Sequence, residues 1–241
     1  MSMPERDDIL LSIVIPAYNE GRRIQGTLGT VRAALAELRL ERYEIIVADD
    51  ASTDETARLA AEAMARVVTS GKRNIGATRN VGAAAAQGQY LLFLDADTQL
   101  SADALAAMLQ ALERGAVGGG ARLRWSEPIS WPARLPLALW NGCSQLLHSP
   151  AGSFFFVRRN AFREVGGFDE RYYIAEELVL AQRLKRVGRV VILRTPIATS
   201  PRKVQTNSFF QILRFVLRLG LTPRRTFRDR KQLGMWYDRH I

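Results

Sequence analysis

The sequence predicts an α/β fold, a mostly parallel β-sheet covered by helices on both faces. Three observations predict it. Short β-branched runs alternate with helical stretches, the strand runs are apolar throughout rather than alternating, and a polar cluster follows most of them. The run 11–15 (LSIVI) ends at Pro16 and reads as a buried strand. Ile24, Leu28, Val31 and Leu35 recur at helical spacing and predict a helix over about 22–38. The run 44–48 (EIIVA) is a second buried strand, closed by Asp49-Asp50. Thr53 or Asp54 stands where it can cap the following helix, ETARLAAEAM, whose first turn is acidic. Residues 66–69 give a short strand, 76–87 an alanine-rich helix, and 90–94 (YLLFL) a buried strand ending at Asp95.

The second half is less regular. Residues 118–123 read as a strand, and 125–150, with four prolines, as a loop carrying short helices. Residues 153–158 follow as a strand, 176–187 as a helix and 189–193 as a strand. No internal repeat breaks the chain. It divides into a ligand-binding domain over 1–205 and a basic amphipathic segment over 206–241. Ligands of such sheets sit beyond the carboxyl ends of the strands. PAYNE follows the first strand, DDAST the second and DADT the fourth, so three polar clusters share one sheet edge.

Composition narrows the class. The 241 residues suffice for one large domain, and 47% hydrophobic with 24% charged residues is globular rather than disordered. The single cysteine, Cys143, excludes an internal disulfide framework and fits a reducing cytoplasm. The N-terminus, MSMPERDDILL, carries acids where a secretory signal carries cations, and no apolar run approaches the ~18–20 residues that span a bilayer. The expectation is a cytoplasmic protein, soluble or peripheral at the inner face of the cytoplasmic membrane.

The net charge of +10 is unevenly placed, because residues 200–241 hold ten Lys or Arg and only two acids. An acidic partner follows, anionic lipid or nucleic acid. In 207–221 the polar residues Gln211, Arg214 and Arg218 form one narrow stripe on an otherwise apolar helix, and a basic cluster, 224–231, comes next. That pattern suits either an interfacial helix on an anionic membrane or a terminal helix docked on the core. The aromatic residues lie on the apolar side rather than among the cations, which argues against nucleic acid.

Four constellations carry chemistry. Asp95-Ala96-Asp97 places two hard oxygen donors just after a buried strand, suited to Mg2+ or Mn2+ bridging a diphosphate, although acids also follow strands as plain solvated turns. Asp49-Asp50 is an Asx-turn and cap, or a pair needing a base N–H, a ribose hydroxyl or an arginine to offset its repulsion. In 76–82 (GATRNVG) the small residues allow close helix–sheet packing, while Arg79 and Asn80 on the first turn can reach a diphosphate or base. Last come Gly166-Gly167-Phe168-Asp169-Glu170 and then Ala175-Glu176-Glu177. An acid confined there can have its pKa raised toward that of a general base, or can simply favour a helix N-terminus.

Taken in order, PAYNE, DDASTDET, GATRNVG, LFLDADT, GGFDE and an acidic pair opening E-E-x-x-L-x-x-R-L resemble the family 2 glycosyltransferases with the GT-A fold, over roughly 11–200. The resemblance implies an inverting transfer of sugar from a nucleoside-diphosphate sugar, a UDP-sugar in most relatives, to a hydroxyl of a sugar or lipid-linked acceptor. It implies that Pro16, Ala17, Tyr18 and Glu20 line the nucleotide pocket, that Asp50 bonds the base, and that Arg79 holds base or phosphate. Asp95 would face the ribose, Asp97 would be the principal ligand of Mn2+ or Mg2+ with Asp95 beside it, and Gly166, Gly167, Phe168 and Asp169 would border sugar and acceptor. The family's acid pair is usually Glu-Asp with its second member the catalytic base. Here that position is Glu177, one methylene longer, and Glu176 stays a rival. The Q-x-x-R-W motif of processive members does not occur, which points to single addition.

Other readings are a nucleotidyltransferase and a sugar-nucleotide-binding protein without catalysis. Neither G-x-G-x-x-G nor G-x-x-x-x-G-K-[ST] occurs, which disfavours dinucleotide and P-loop enzymes. The two histidines, His148 and His240, lie in no nucleophile motif.

Overall fold

The computed structural model describes residues 9–127 and 131–200, so the segment 206–241 and its expected helix lie outside the described residues. The chain runs β1 (Leu11–Ala17), α1 (Gly21–Glu37), β2 (Tyr43–Asp49), α2 (Thr56–Glu62), β3 (Arg66–Thr69), α3 (Ile75–Ala85), β4 (Tyr90–Leu94) and β5 (Thr98–Gln99). Then follow α4 (Ala102–Glu113), β6 (Gly118–Trp125), α5 (Trp131–Leu147), β7 (Phe154–Arg158), α6 (Arg159–Glu164), α7 (Glu176–Leu184) and β8 (Val190–Thr199).

Among the described residues all the strands join one sheet in the order β3-β2-β1-β4-β7-β6-β8-β5. Only β7 and β5 run against the others, since β7 pairs antiparallel with β4 and β6, and β5 antiparallel with β8. After β1 the chain winds outward through β2 and β3, then returns to place β4 on β1's other side. That reversal makes a topological switch point at the carboxyl ends of β1 and β4, where open α/β sheets bind ligands.

The apolar strand runs are explained by helices on both sides. Leu11, Ile13 and Ile15 of β1 face a core shared with Ile24, Leu28, Val31 and Leu35 of α1 and with Leu105, Met108 and Leu112 of α4. Val14 faces the other core, with Phe93 of β4, Phe155 of β7, Phe162 of α6 and Leu180 and Leu184 of α7. The central strands β1, β2, β4 and β7 therefore bury successive side chains in opposite layers. Gly82 sets the spacing of α3, for a Cβ there would meet Val14 Cγ1 at 2.3 Å and Ala48 Cβ at 3.3 Å.

Five elements differ from expectation, two of them short pieces that the sequence reading does not include, β5 of two residues and α6 of six. Residues 131–147 form one continuous helix, α5, rather than a loop with short helices. Its two prolines fall in the first two turns, leaving 137–147 free of proline. Helix α4 was not anticipated, although Ser101 caps it by accepting from Ala104 N–H at 3.3 Å and Asp103 sits in its first turn. Strand β8 continues past 193 because a register shift between Ala121 and Leu123 takes Pro196, which has no N–H to give, out of the ladder.

Gly82→Ala is expected to cost about 1–3 kcal/mol by overpacking α3 on β1. Thermal unfolding would read this as a fall of several degrees at ~2–4 °C per kcal/mol for a chain of this size. An unchanged Tm would mean that α3 stands further from the sheet.

Candidate active site

The turns after β1 and β2 are stitched into one wall. Asn19, in the left-handed region at φ 52°, accepts Thr53 N–H at 2.8 Å through Oδ1, and its own N–H donates to Ser52 Oγ at 3.0 Å. Glu20 is buried, with its N–H on Thr56 Oγ1 at 2.8 Å. Asp54 accepts from Gly21 N–H and Thr56 N–H, each at 3.0 Å, so one carboxylate joins the starts of α1 and α2. Desolvation opposes its charge, but the Thr56 hydroxyl, which also donates to it, and then these backbone N–H bonds hold its pKa below the ordinary value.

The adjacent acids Asp49 and Asp50, both buried, are separated by giving each its own donors. Asp49 takes Ser52 N–H at 3.1 Å and the Ser52 hydroxyl, an Asx-turn. Asp50 takes Arg73 N–H at 2.9 Å, and the Arg73 guanidinium lies 4.2 Å over the Tyr18 ring. Tyr18, Asp50 and Arg73 thus gather at the edge of the switch point. Ala51 and Arg73 hold positive φ (57° and 50°) beside it, a local strain of the kind that functional sites retain.

The second half of the site is organised by Arg79. It is 1% exposed, with its guanidinium on Asp95 Oδ1 at 2.8 Å, Glu176 Oε1 at 2.5 Å and Gly152 O at 3.0 Å. Burial disfavours its charge, but Asp95, Glu176 and Glu177 more than offset this and its pKa lies above the ordinary value. The ring of Phe168 lies 5.4 Å away, and a Cβ on Gly152 would sit 2.9 Å from Nη2. Arg79 is therefore not on an open first turn reaching for phosphate. It is sunk among acids from β4 and α7, because α3 packs its start against the sheet edge.

Asn74 caps α3, accepting Ala77 N–H at 2.9 Å while its amide donates to Glu170 O at 3.0 Å and Tyr172 O at 3.1 Å. Asn80 grips the same turn, taking Phe168 N–H at 3.0 Å and giving to Phe168 O at 2.9 Å. The 166–170 turn is held as structure rather than laid open. Gly166 and Gly167 adopt φ 80° and 68°, a conformation that glycine makes inexpensive. Together with Asn80 and Phe162 they line a hollow of about 420 Å³ on the α3–α6 flank, not at the strand ends. Phe168 is buried against Phe93, Phe155 and Phe162 at centroid distances of 4.9, 5.9 and 5.6 Å. Asp169 is buried and taken by Arg171 (2.6 Å) and Arg183 (2.8 Å); the Arg171 hydrogen bond above all holds its pKa down at about 2. The expected contact of Phe168 and Asp169 with sugar or acceptor thus meets side chains already committed to the fold.

The acid pair divides into two environments. Glu176 is buried and ion-paired with Arg79. Glu177, next along α7, is pushed up to about 8, first by desolvation and then by the neighbouring Glu176 charge. Ala175, at φ 61°, turns the chain into the helix. At the β4 end, Asp95 N–H donates to Ser153 O at 3.1 Å and Thr98 N–H to Asp95 O at 3.0 Å. That tight turn carries Asp97, partly exposed, at the lip of the edge. No group of three or more His, Cys, Asp or Glu suited to a metal occurs among the described residues. The partnerships of Gly152, Arg73, Arg171 and Arg183 had no sequence signal, whereas Asn74 stands at a recognisable cap position before α3.

Comparison with known proteins bears on the fold and the family. The amylovoran biosynthesis glycosyltransferase AmsB of Erwinia amylovora is 28% identical over 79% of this chain and 69% of its own length. The poly-beta-1,6-N-acetyl-D-glucosamine synthase of Staphylococcus epidermidis is 28% identical over 72% of this chain, which spans only 45% of that protein. Among solved structures, S. aureus TarS 1–349 in complex with UDP superposes with a TM-score of 0.62 at 17% identity, over 80% of this chain and 61% of that one. The mannosyltransferase of Pyrobaculum calidifontis in complex with GDP-Man and Mn2+ gives 0.63 at 19% identity, over 77% and 54%. The fold is thus that of the GT-A glycosyltransferases. The sequence matches the description "Glycosyl transferase family 2" over residues 12–166, more than half of its length, and the chain belongs to that family.

Proposed function

We propose that this chain is an inverting, divalent-metal-dependent glycosyltransferase that moves one sugar at a time from a nucleoside-diphosphate sugar to an acceptor hydroxyl, with Glu177 as the base. The observation that carries the reading is the division of the acid pair. Glu176 is ion-paired with Arg79, while desolvation and the neighbouring Glu176 charge hold Glu177 high enough to take a proton near neutral pH. The nucleotide would lie along Tyr18, Asp50 and Arg73, with Pro16, Ala17 and Glu20 behind them. Asp95 would face the ribose. TarS with UDP and the Pyrobaculum enzyme with GDP-Man support a nucleotide-sugar donor, a UDP-sugar being the expectation.

Asp97 and Asp95 would hold the metal. Two carboxylates suit Mg2+ or Mn2+ when donor phosphates supply further oxygens, and Asp97 stands partly exposed on the turn after β4. When bound, the ion supplies Lewis-acid stabilisation of the leaving diphosphate. The remaining work belongs to the chain. Glu177 carboxylate removes the proton of the acceptor hydroxyl, and that oxygen forms a bond to the anomeric carbon as the bond to the diphosphate breaks on the opposite side. Arg79 positions Asp95 and the start of α7 rather than touching phosphate, since its guanidinium is buried and both terminal nitrogens are bonded within the chain. The acceptor is a sugar or a lipid-linked glycan met at an anionic membrane surface, a reading supported by the basic charge of 200–241.

Thermal unfolding with UDP, GDP, CDP or dTDP, each with Mn2+, Mg2+ or EDTA, tests the donor site. One nucleotide with metal, at 100 times its Kd, is expected to add about 2.7 kcal/mol, a shift of several degrees. Asp97→Ala is expected to abolish that shift, and no shift under any condition would remove the reading's main support. Glu177→Gln is expected to lower sugar transfer by about 10²-fold or more while leaving the nucleotide shift intact. Because the base must be ionised and its carboxyl sits at about 8, the wild-type rate should rise with pH up to that value. A Glu177→Gln enzyme with wild-type turnover would transfer the role elsewhere.

A further inference from the structure

The apolar surface left outside the two cores is gathered on one helix. Among the described residues, four of the five exposed large hydrophobic side chains lie on α5: Leu135 (57%), Leu139 (62%), Leu146 (81%) and Leu147 (59%). Leu135, Ala138, Leu139, Gly142 and Leu146 follow the spacing i, i+3, i+4, i+7, i+11, so they form one stripe, widened by exposed Cys143 and Leu147. No charged residue occurs in 135–147. The inner side of the helix is fixed by polar bonds. Buried Asn141 accepts from Leu123 N–H at 2.9 Å and donates to Leu123 O at 2.8 Å, and buried Ser144 donates to Ser149 O at 2.8 Å. The stripe is thus held outward by side chains that cannot exchange places with it.

Exposed cations lie on the elements that α5 packs against. Arg122 and Arg124 are exposed on β6 on either side of Leu123, and Lys185 Nζ donates to Leu147 O at 2.5 Å at the far end of the helix. The sheet edge beside it is where Thr199 of β8 pairs with Trp125 of β6, and from there the chain enters 200–241 with its ten Lys or Arg and two acids. We infer that α5 rests its uncharged face in the interface of an anionic lipid bilayer, with these cations on the headgroups. An apolar stripe bordered by positive charge is the pattern of an interfacial helix. A second copy would bring another +10 chain against the same cations, and the basic C-terminal segment folded over α5 would do likewise. The helix lies on the surface rather than through it, as no described helix is long and apolar enough to cross a membrane.

The placement bears on the reaction. Five residues past the end of α5, Gly152 gives its carbonyl to Arg79. A short segment thus ties α5 to the acid cluster, and the acceptor hydroxyl is one presented at the lipid surface. This last step rests on the proposed sugar transfer, whereas the seat on the membrane does not.

Co-sedimentation of the full chain with phosphatidylglycerol–phosphatidylcholine vesicles, against phosphatidylcholine alone, tests the seat. The wild type is expected to bind the anionic vesicles and to be released by salt. Leu139→Asp/Leu146→Asp is expected to weaken that binding by about tenfold or more, with Tm and elution volume unchanged. Equal binding by wild type and variant would overturn the inference and leave 200–241 as the contact. A variant Tm lower by several degrees would show the stripe covered within the chain. A wild-type dimer that the variant breaks would show it covered by a second copy. Vesicle binding needs no donor and the nucleotide-dependent thermal shift needs no lipid, so the two readings fail separately.

Discussion

The ion cluster around the buried Arg79 guanidinium is the constraint on which the rest of the site depends. One side chain from the start of α3 meets Asp95 at the end of β4, Glu176 at the start of α7 and the carbonyl of Gly152 before β7. Three segments far apart in sequence are fixed to one point. An arginine in that place demands acids, since a charge taken out of water without partners costs several kcal/mol. The acids demand the arginine equally. Gly152 belongs to the same arrangement because a Cβ there would press on the guanidinium.

From that point the two halves of the sheet edge acquire different chemistry. On the β1–β2 side, carboxylates are satisfied by backbone N–H groups and a serine, so Asp49 and Asp50 are held without a cation between them. On the α7 side, Arg79 has already paired with Glu176 when Glu177 enters the same neighbourhood. The second acid meets desolvation and a like charge together, which raises its pKa where a lone helix-terminal glutamate would be lowered. The different environments of the adjacent glutamates follow from which of them reaches the guanidinium. The Asp169–Arg171–Arg183 cluster plays the complementary part, tying the 166–170 turn to α7 so that the pair is held in place.

Much of this was legible in the sequence, for identifiable reasons. Strands such as 11–15 and 90–94 are apolar on both faces, and the helix of Ile24, Leu28, Val31 and Leu35 is amphipathic, so local pattern and tertiary burial agree. The acids at the strand ends were visible as breaks in apolar runs. Arg79 was visible as a chemically notable residue, but its burial was not, because nothing local distinguishes an arginine facing solvent from one facing two distant acids. The same holds for Phe168 and Asp169, whose partners Phe93 and Arg183 lie on other elements. Helix α5 was obscured by prolines that happen to fall in its first turns, and with it the exposed leucine stripe, which is visible only once one knows which side faces β6.

The most direct test of the account is a double-mutant cycle on stability, measured by urea unfolding of Arg79→Met, Glu176→Met and the double variant. If the buried pair is the anchor, Arg79→Met leaves the buried Glu176 without its cation and costs about 3–5 kcal/mol, while Glu176→Met, which leaves the guanidinium with Asp95 alone, costs less. The double variant would then lose far less than the sum of the two. Losses that add within about 0.5 kcal/mol would mean the two residues act independently. Arg79 would then not be what joins the halves of this site.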